Sequence, residues 1–560
     1  MEHVSLRSSP IRVALALCLL GLSSACAESD SEGASVVSEV TDVDGTPLGS
    51  VAIPVSSCST EAATHLRRGT ALLHNMTFFQ AESEFRAALE RDEGCALAYW
   101  GVAMSYLHPL WPDVTSDAQF DDGLDLLVRA RSLGPLGGRE EAFISALESY
   151  YRDGKGRPEA ERLLSYHEGW ERALSEFPND PEVRLFWALS LTAVAGNPAN
   201  SGARVAMQTE AGQMAEEVLR EIPDHPGAQH YIIHAFDLPV LAERALPTAN
   251  TYGELAPGNH HALHMTSHIF TRMGSWIESI RYNRMSAEIA LRNPIDGMTN
   301  NAYLHAADYW VYALLQRLDD DGAGQVWNEM ASLGGPIENH PGSPYAFAAV
   351  PARIALERKK WSEANRLRTR WPSTIQWDAY PQFEAITEFA RGLGAARTGD
   401  IEAAETAVAK LIVLQAQATA IPGAYDWGIQ VQIQEVTVRA WIAYAEGRVT
   451  QALALMNEAH GLELTTQKSP VTPGAVLPTG ELLGDMLLEL GRHTDAMQAY
   501  EAELVRSPNR FNSLFGAGRA AESAGNIEAA RGHYRRLVEG TLPDSEHEHL
   551  SHARRFLDRE

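Results

Sequence analysis

The chain has 560 residues, an ordinary globular composition (45% hydrophobic, 21% charged) and a formal net charge of −27. That charge argues against a nucleic-acid partner, because binders of phosphate backbones carry a basic footprint; it favours solubility and says little about fold. The length suffices for several core-sized units, or for one elongated array whose units pack only on their neighbours.

The N-terminus reads as an export signal. Arg7 and Arg12 flank the apolar run at residues 13–22, and Ser23-Ser-Ala-Cys26 closes it with small residues. The run is too short to span a bilayer. Its end is similar to a bacterial lipobox in which Cys26 is the lipidated residue. Ser23 stands where an aliphatic residue is usual, so ordinary cleavage after Ala25 or Ala27 stays open. The mature chain is expected to be extracytoplasmic: anchored to the cell envelope by lipid, its sole membrane contact, or else periplasmic or secreted. Residues 27–56, rich in Ser, Asp and Glu, read as a disordered acidic linker. Cys58 and Cys95 remain, and an oxidising compartment permits a disulfide between them without requiring it.

From residue 57 onward, nearly every segment shows the 3.6-residue apolar period of helices, broken at Gly, Pro and Asn. Gly491, Ala496 and Tyr500 recur as Gly525, Ala530 and Tyr534, each 34 residues later. That period, with small residues where helices cross and an aromatic one turn on, is the tetratricopeptide (TPR) pattern. Residues 74–89 and 98–103 follow the same grammar. Pro181, Pro226 and Pro257 each read as opening a helix. Gly399 with Ala403, and Gly447 with Gln451 and Ala452, mark hairpins at wider spacing.

The expectation is an all-α, TPR-like solenoid of antiparallel helix hairpins. Residues 57–320 hold the His-rich stretch, 321–475 are irregular repeats, and 476–560 are regular repeats suited to docking or capping. Trp100, Trp111, Trp276, Trp310 and Trp361 read as inter-helix packing.

Several blocks carry a resemblance: His74-Asn75…Ala81…Phe85, residues 95–101, 225–234 and 261–270, Tyr303…His305…Asp308-Tyr309, and Pro351-Ala-Arg353…Leu356-Glu-Arg358. Across about residues 65–370 the chain resembles a family of exported bacterial TPR proteins. Thr266 departs from it, standing where the family carries Pro before Ser-His. The resemblance implies fold and export and supplies no reaction.

Chemistry must come from the residues. Seven histidines between residues 230 and 305 fall at helical spacings. At about 100° per residue, His260, His264, His261 and His268 lie near 0°, 40°, 100° and 80°, opposite Leu263, Ile269 and Phe270. His230, His234 and Asp237 share another narrow arc. His260 and His268 are about 12 Å apart along the axis, too far to share an ion, so His264 pairs with one of them. His268 is the better partner, because His260 and His261 begin the helix.

The expected metal ligands are therefore His230, His234, His264, His268 and His305, converging from neighbouring helices on one point. The ion would be a divalent transition metal: zinc, copper or iron. Asp237 and Asp308 each follow a histidine by three residues and are candidates to coordinate the ion, to hold the other ring nitrogen or to act as a base. Asn301, Tyr309 and Tyr312 share the face of His305. An interior polar network without metal, or a pH-responsive imidazole cluster, are the competing readings. His74, His108 and His225, taken singly, read as hydrogen-bonded core residues.

Among other chemistries, Gly-x-Ser-x-Gly, a phosphate loop and His-Glu-x-x-His are absent from the sequence. Ser267 and His268 are adjacent on a helix and so point apart. Two functions follow: a binding module for a protein, peptide or small ligand with a metal-holding site, or a metal-dependent hydrolytic or oxidative enzyme built on the same His/Asp cluster.

Overall fold

The computed structural model describes residues 36–111, 115–421, 425–469 and 471–559. The expected export signal and Cys26 lie outside the described residues. Within them, 25 α-helices follow one another, each packed on the next, together with one two-stranded sheet. The chain is an all-α solenoid of TPR-like hairpins, as its periodicity predicts.

The packing rule is visible in the glycines. A Cβ added at Gly69 or Gly101 would overlap the ring of Phe85, so that ring is the knob between two successive hairpins. Tyr500 is held in the same way between Gly484 and Gly516. Ala496, Ala530, Tyr500 and Tyr534 are all buried, as the repeat requires. Pro181 and Pro226 open helices at their first turn. Pro257 does not: the next helix begins at His260, and Asn259 caps it by accepting from the His261 and Ala262 amides at 2.9 Å. An Asn N-cap satisfies orphan amides that a proline two residues earlier cannot reach.

Residues 36–56 depart from the expected linker. Ser38–Thr41 pairs antiparallel with Pro47–Val51, and Val40, Leu48, Val51 and Ile53 are buried against the helices. The Ser50 amide donates to the Asp224 carbonyl at 2.9 Å, and the Ala52 amide to Glu182 Oε1 at 2.6 Å. Bulk polarity hid these few apolar residues, which suffice once the sheet has a wall to lie on.

Cys58 and Cys95 form a disulfide that closes a separation of 37 residues. Cys58→Ser with Cys95→Ser is expected to lower unfolding free energy by about 2–4 kcal/mol, read as an earlier urea midpoint under oxidising conditions only.

The apolar interior falls into two large clusters. One runs from Val40 to Tyr282, the other from Ala287 to Phe556, continuous through residues 320 and 475. The chain then returns on itself. Trp276 Nε1 donates to the Asn509 carbonyl, and the Leu542 amide to the Arg317 carbonyl, both at 2.9 Å. Gly274 ends the His260–Met273 helix at φ 66°, and a Cβ there would strike the Pro508 carbonyl. No helix among the described residues is long and apolar enough to cross a membrane.

One buried acid in the C-terminal repeats gives a pH signature. Burial, helped by the Glu463 carboxylate, pushes the Glu503 carboxyl up to about 8. Between its ordinary value of 4.5 and 8 the unfolded chain releases a proton that the folded chain keeps, so stability falls as pH rises through that window. Glu503→Gln is expected to flatten this fall, with its largest gain in melting temperature near pH 8 and little change near pH 4.5.

Candidate metal centre

Three helices bring the histidines together at the seam between the two apolar clusters: Pro226–Phe236, His260–Met273 and Asn301–Gln316. They do not meet at one point. His264, His268 and His305 form one triad, and His230, His234 and His261 a second; within each, one ligand nitrogen from every ring lies within 4.8 Å of the others. The single shared point expected for five histidines is thus two. His261 belongs to the second, because the opening turn of its helix faces the Pro226–Phe236 helix: its ring centroid is 5.0 Å from that of His230.

The first triad is oriented by its outer hydrogen bonds. His264 Nδ1 lies 2.8 Å from Asn283 Oδ1, whose amide is fixed by donation from Nδ2 to the Ser279 carbonyl at 2.8 Å. His268 Nδ1 lies 3.0 Å from Asp237 Oδ2. Both oxygens only accept, so each ring carries its proton on Nδ1 and turns an Nε2 lone pair inward. Those two Nε2 atoms are 3.0 Å apart. Two lone pairs at that distance repel each other; two imidazoles sharing a tetrahedral ion hold their nitrogens roughly 3.3 Å apart, given bonds of about 2.0 Å. The His305 ring centroid is 4.3 Å from that of His264, and His305 hydrogen-bonds the Val471 backbone. Each ligand ring therefore has an outer oxygen or backbone partner.

The second triad shows the same need differently. His230 Nδ1 donates to the His74 carbonyl at 2.6 Å, leaving its Nε2 unprotonated. Nε2 of His230, of His234 and of His261 are all buried without a hydrogen-bond partner. One unpartnered buried nitrogen already costs about 1–3 kcal/mol, and three side by side demand a shared partner.

Electrostatics keeps the rings neutral. Burial is the main cause: it drives His230 down to about 3 and holds His234, His261, His264 and His305 well below the ordinary imidazole value, with neighbouring rings adding to the effect. Neutral imidazole is the ligand form. Burial alone would raise Asp237, but Lys468 and Arg272 hold it well below the carboxylate range. Lys468 Nζ reaches Asp237 Oδ2 at 3.0 Å, Arg272 Nε reaches Oδ1 at 2.7 Å, and burial brings the Lys468 amine down to about 8. Asp237 therefore orients His268 and does not ligate.

Asp308 is not at the centre. Its carboxylate pairs with Arg353 Nε at 3.0 Å, both side chains fully buried, so it is committed to the packing of the next helices. Tyr309 does face the site: its ring stacks on His268 with centroids 5.0 Å apart, and its hydroxyl donates to the Thr472 carbonyl at 2.9 Å. Tyr312 instead lies by Arg510, at 3.0 Å. Ser267 Oγ donates to the His264 carbonyl and makes no pair with His268. Trp111 lies over His261 with centroids 5.5 Å apart.

His74, His225 and Glu182 make a third cluster of ligand type, but every ring nitrogen in it is partnered. His74 Nε2 meets Glu182 Oε2 at 2.7 Å and His225 Nε2 meets Oε1 at 3.3 Å. The Tyr231 hydroxyl lies 2.8 Å from His74 Nδ1, and the Gly227 amide donates to His225 Nδ1 at 3.1 Å. This is a hydrogen-bonded core hub, as those histidines read singly; it fixes the backbone that holds His230.

Asn283, Lys468 and Val471 have no mark in the sequence. Asn283 sits on the Trp276–Arg292 helix nineteen residues from its partner, and Lys468 lies past the end of the distant Val449–Leu464 helix.

No protein-family profile matches the chain, and no curated protein is similar to it in sequence. Solved structures similar in shape include the APC/C hetero-tetramer Cut9-Hcn1, at 14% identity over 90% of this chain and 97% of that one, TM-score 0.28. The human IFIT1 dimer with PPP-AAAA is similar at 12% identity over 86% and 91%, TM-score 0.36. Yeast Tom70 is similar at 11% over 89% and 95%, TM-score 0.28.

Proposed function

We propose that this chain is a metal-holding solenoid whose bound ions stay open to an outside ligand. The convergence of imidazole nitrogens on two interior points, those of the second left without a partner, carries the reading. Each point has three protein ligands, and three-ligand sites leave a position for water or substrate where closed four-ligand sites do not. His234 and His305 are the partly exposed members of their triads, so each set has an edge toward solvent. This favours the metal-dependent enzyme over a purely structural metal. The base it would use is not Asp308; Asp237, already paired with two cations, serves to position His268.

A binding role for the solenoid has its own support. A groove of about 390 Å³ runs past Leu238, Val240, Trp427, Lys468 and Val505, against the far side of the Asp237 cluster. It is wide enough for a peptide or small molecule. Export through residues 1–26, with lipidation at Cys26, belongs to the same proposal and fits the Cys58–Cys95 disulfide.

The test is elemental analysis of the full chain purified without an affinity tag. Stoichiometric zinc, copper or iron that survives dialysis is expected, and its absence after reconstitution with each ion would end the proposal.

A further inference from the structure

We propose that the two triads form one dinuclear copper centre that takes up dioxygen between its ions. This rests on the metal reading above and goes further in ion count, metal and ligand.

The first support is adjacency. His261 and His264 belong to different triads but to the same helix, three residues apart, a rise of about 4.5 Å. Their ring centroids are 6.4 Å apart. One helix thus supplies His261 to the second triad and His264 with His268 to the first, while its neighbours complete them from either side. Ions in both positions would thus be held by rings about one turn apart on that helix, with a single small molecule between them.

The second support is ligand type. All six donors are imidazoles; the Asp237 carboxylate beside them is turned to His268 Nδ1. Manganese and magnesium sites want carboxylates, and mononuclear non-haem iron sites usually include one, whereas imidazole alone suits copper and zinc.

The third support is charge. Among the charged side chains that act on His234, His264 and His268, the Lys468 and Arg272 cations outnumber the Asp237 carboxylate, which contacts Lys468 at 3.0 Å and Arg272 at 2.7 Å. Two divalent ions would add four buried positive charges with no anionic ligand, a heavy desolvation burden. Two Cu(I) ions add two.

Oxidation then balances on the spot. Each Cu(I) gives one electron to dioxygen; the O–O double bond becomes a single bond, two copper–oxygen bonds form, and the product is peroxide held by two Cu(II). The total charge of the centre is unchanged, and the step needs no proton and no outside reductant.

The experiment starts from the full chain freed of metal by chelation. It is loaded with Cu(I) under nitrogen, analysed for copper, then exposed to air and followed by absorption and electron paramagnetic resonance. The expected result is two copper ions per chain, a near-ultraviolet charge-transfer band on adding air, and no Cu(II) resonance, because the two spins pair through the bridge. His261→Gln, checked for unchanged circular dichroism, is expected to hold one copper and to show a Cu(II) resonance once oxidised. His305→Gln serves as the second variant with the same expectation. No bound copper, zinc or iron at all would sink the metal reading itself. One copper in the unaltered chain would leave that reading standing and overturn the pair. Two coppers that stay reduced in air, or that give full uncoupled Cu(II) resonance, would overturn the dioxygen centre.

Discussion

His264→Ala is expected to abolish stoichiometric metal binding at the first triad. His264 is the ring on which that triad is built: its Nε2 faces His268 Nε2 at 3.0 Å, its centroid is 4.3 Å from that of His305, and Asn283 fixes its tautomer. Loss of an outer-shell partner alone typically weakens a site about 10–100-fold, and loss of one of three ligands should exceed that. Asn283→Leu supplies the comparison, since it leaves every ligand in place but frees the Nδ1 proton of His264; it should fall within the outer-shell range. Calorimetric titration with Zn²⁺ as probe measures both. In thermal melts the gap between metal-loaded and metal-free protein should narrow for His264→Ala, because binding to the folded state alone raises stability. An unchanged affinity in both variants would place the metal elsewhere.

Arg510→Met is expected to destabilise the whole chain by about 3–5 kcal/mol, the usual consequence of removing one partner from a buried charge network. Arg510 Nη2 meets Glu357 at 2.8 Å, its Nε meets Glu481 at 3.1 Å, and its Nη1 donates to the Tyr312 hydroxyl at 3.0 Å, with the ion-paired side chains essentially unexposed. These partners come from the Gly342–Glu357, Thr479–Glu489 and Asn301–Gln316 helices, so one guanidinium ties the C-terminal repeats to the helix that carries His305. The neighbouring Phe511 amide and Asn512 side chain add bonds to Gln316 and Glu357. Substitution leaves two carboxylates buried without a cation. Adding Glu357→Leu and Glu481→Leu removes the stranded charges and should recover much of the loss, which a merely shape-based role for Arg510 would not allow. Urea midpoints for the single and triple variants decide it.

Much of the fold was legible because solenoid packing is local. A ring such as Tyr500 needs small residues at fixed offsets on the next helices, and that requirement repeats along the chain. The hairpin at residues 38–51 escaped for the opposite reason. Its strands are short and gain stability only from the helices they lie on, which composition cannot reveal. The candidate site was half legible. Helical spacing places His264 with His268 and His230 with His234, because both pairs lie one turn apart on one face. Spacing cannot say which neighbour a helix's first turn meets, so it leaves out His261 and merges two sets into one. His-x-x-Asp looked alike at Asp237 and Asp308. The first caps the end of its helix and turns to His268; the second lies mid-helix against Arg353, a partner forty-five residues away. Lys468 is the hardest case, as its role depends on a loop returning across more than two hundred residues.

The most direct measurement is a crystal of the metal-loaded chain with diffraction collected on either side of the absorption edge of the bound metal. Anomalous peaks should appear in both triads, each about 2.0–2.2 Å from three imidazole nitrogens. A map without anomalous density there, with waters or ring protons satisfying Nε2 of His230, His234 and His261, would contradict the account.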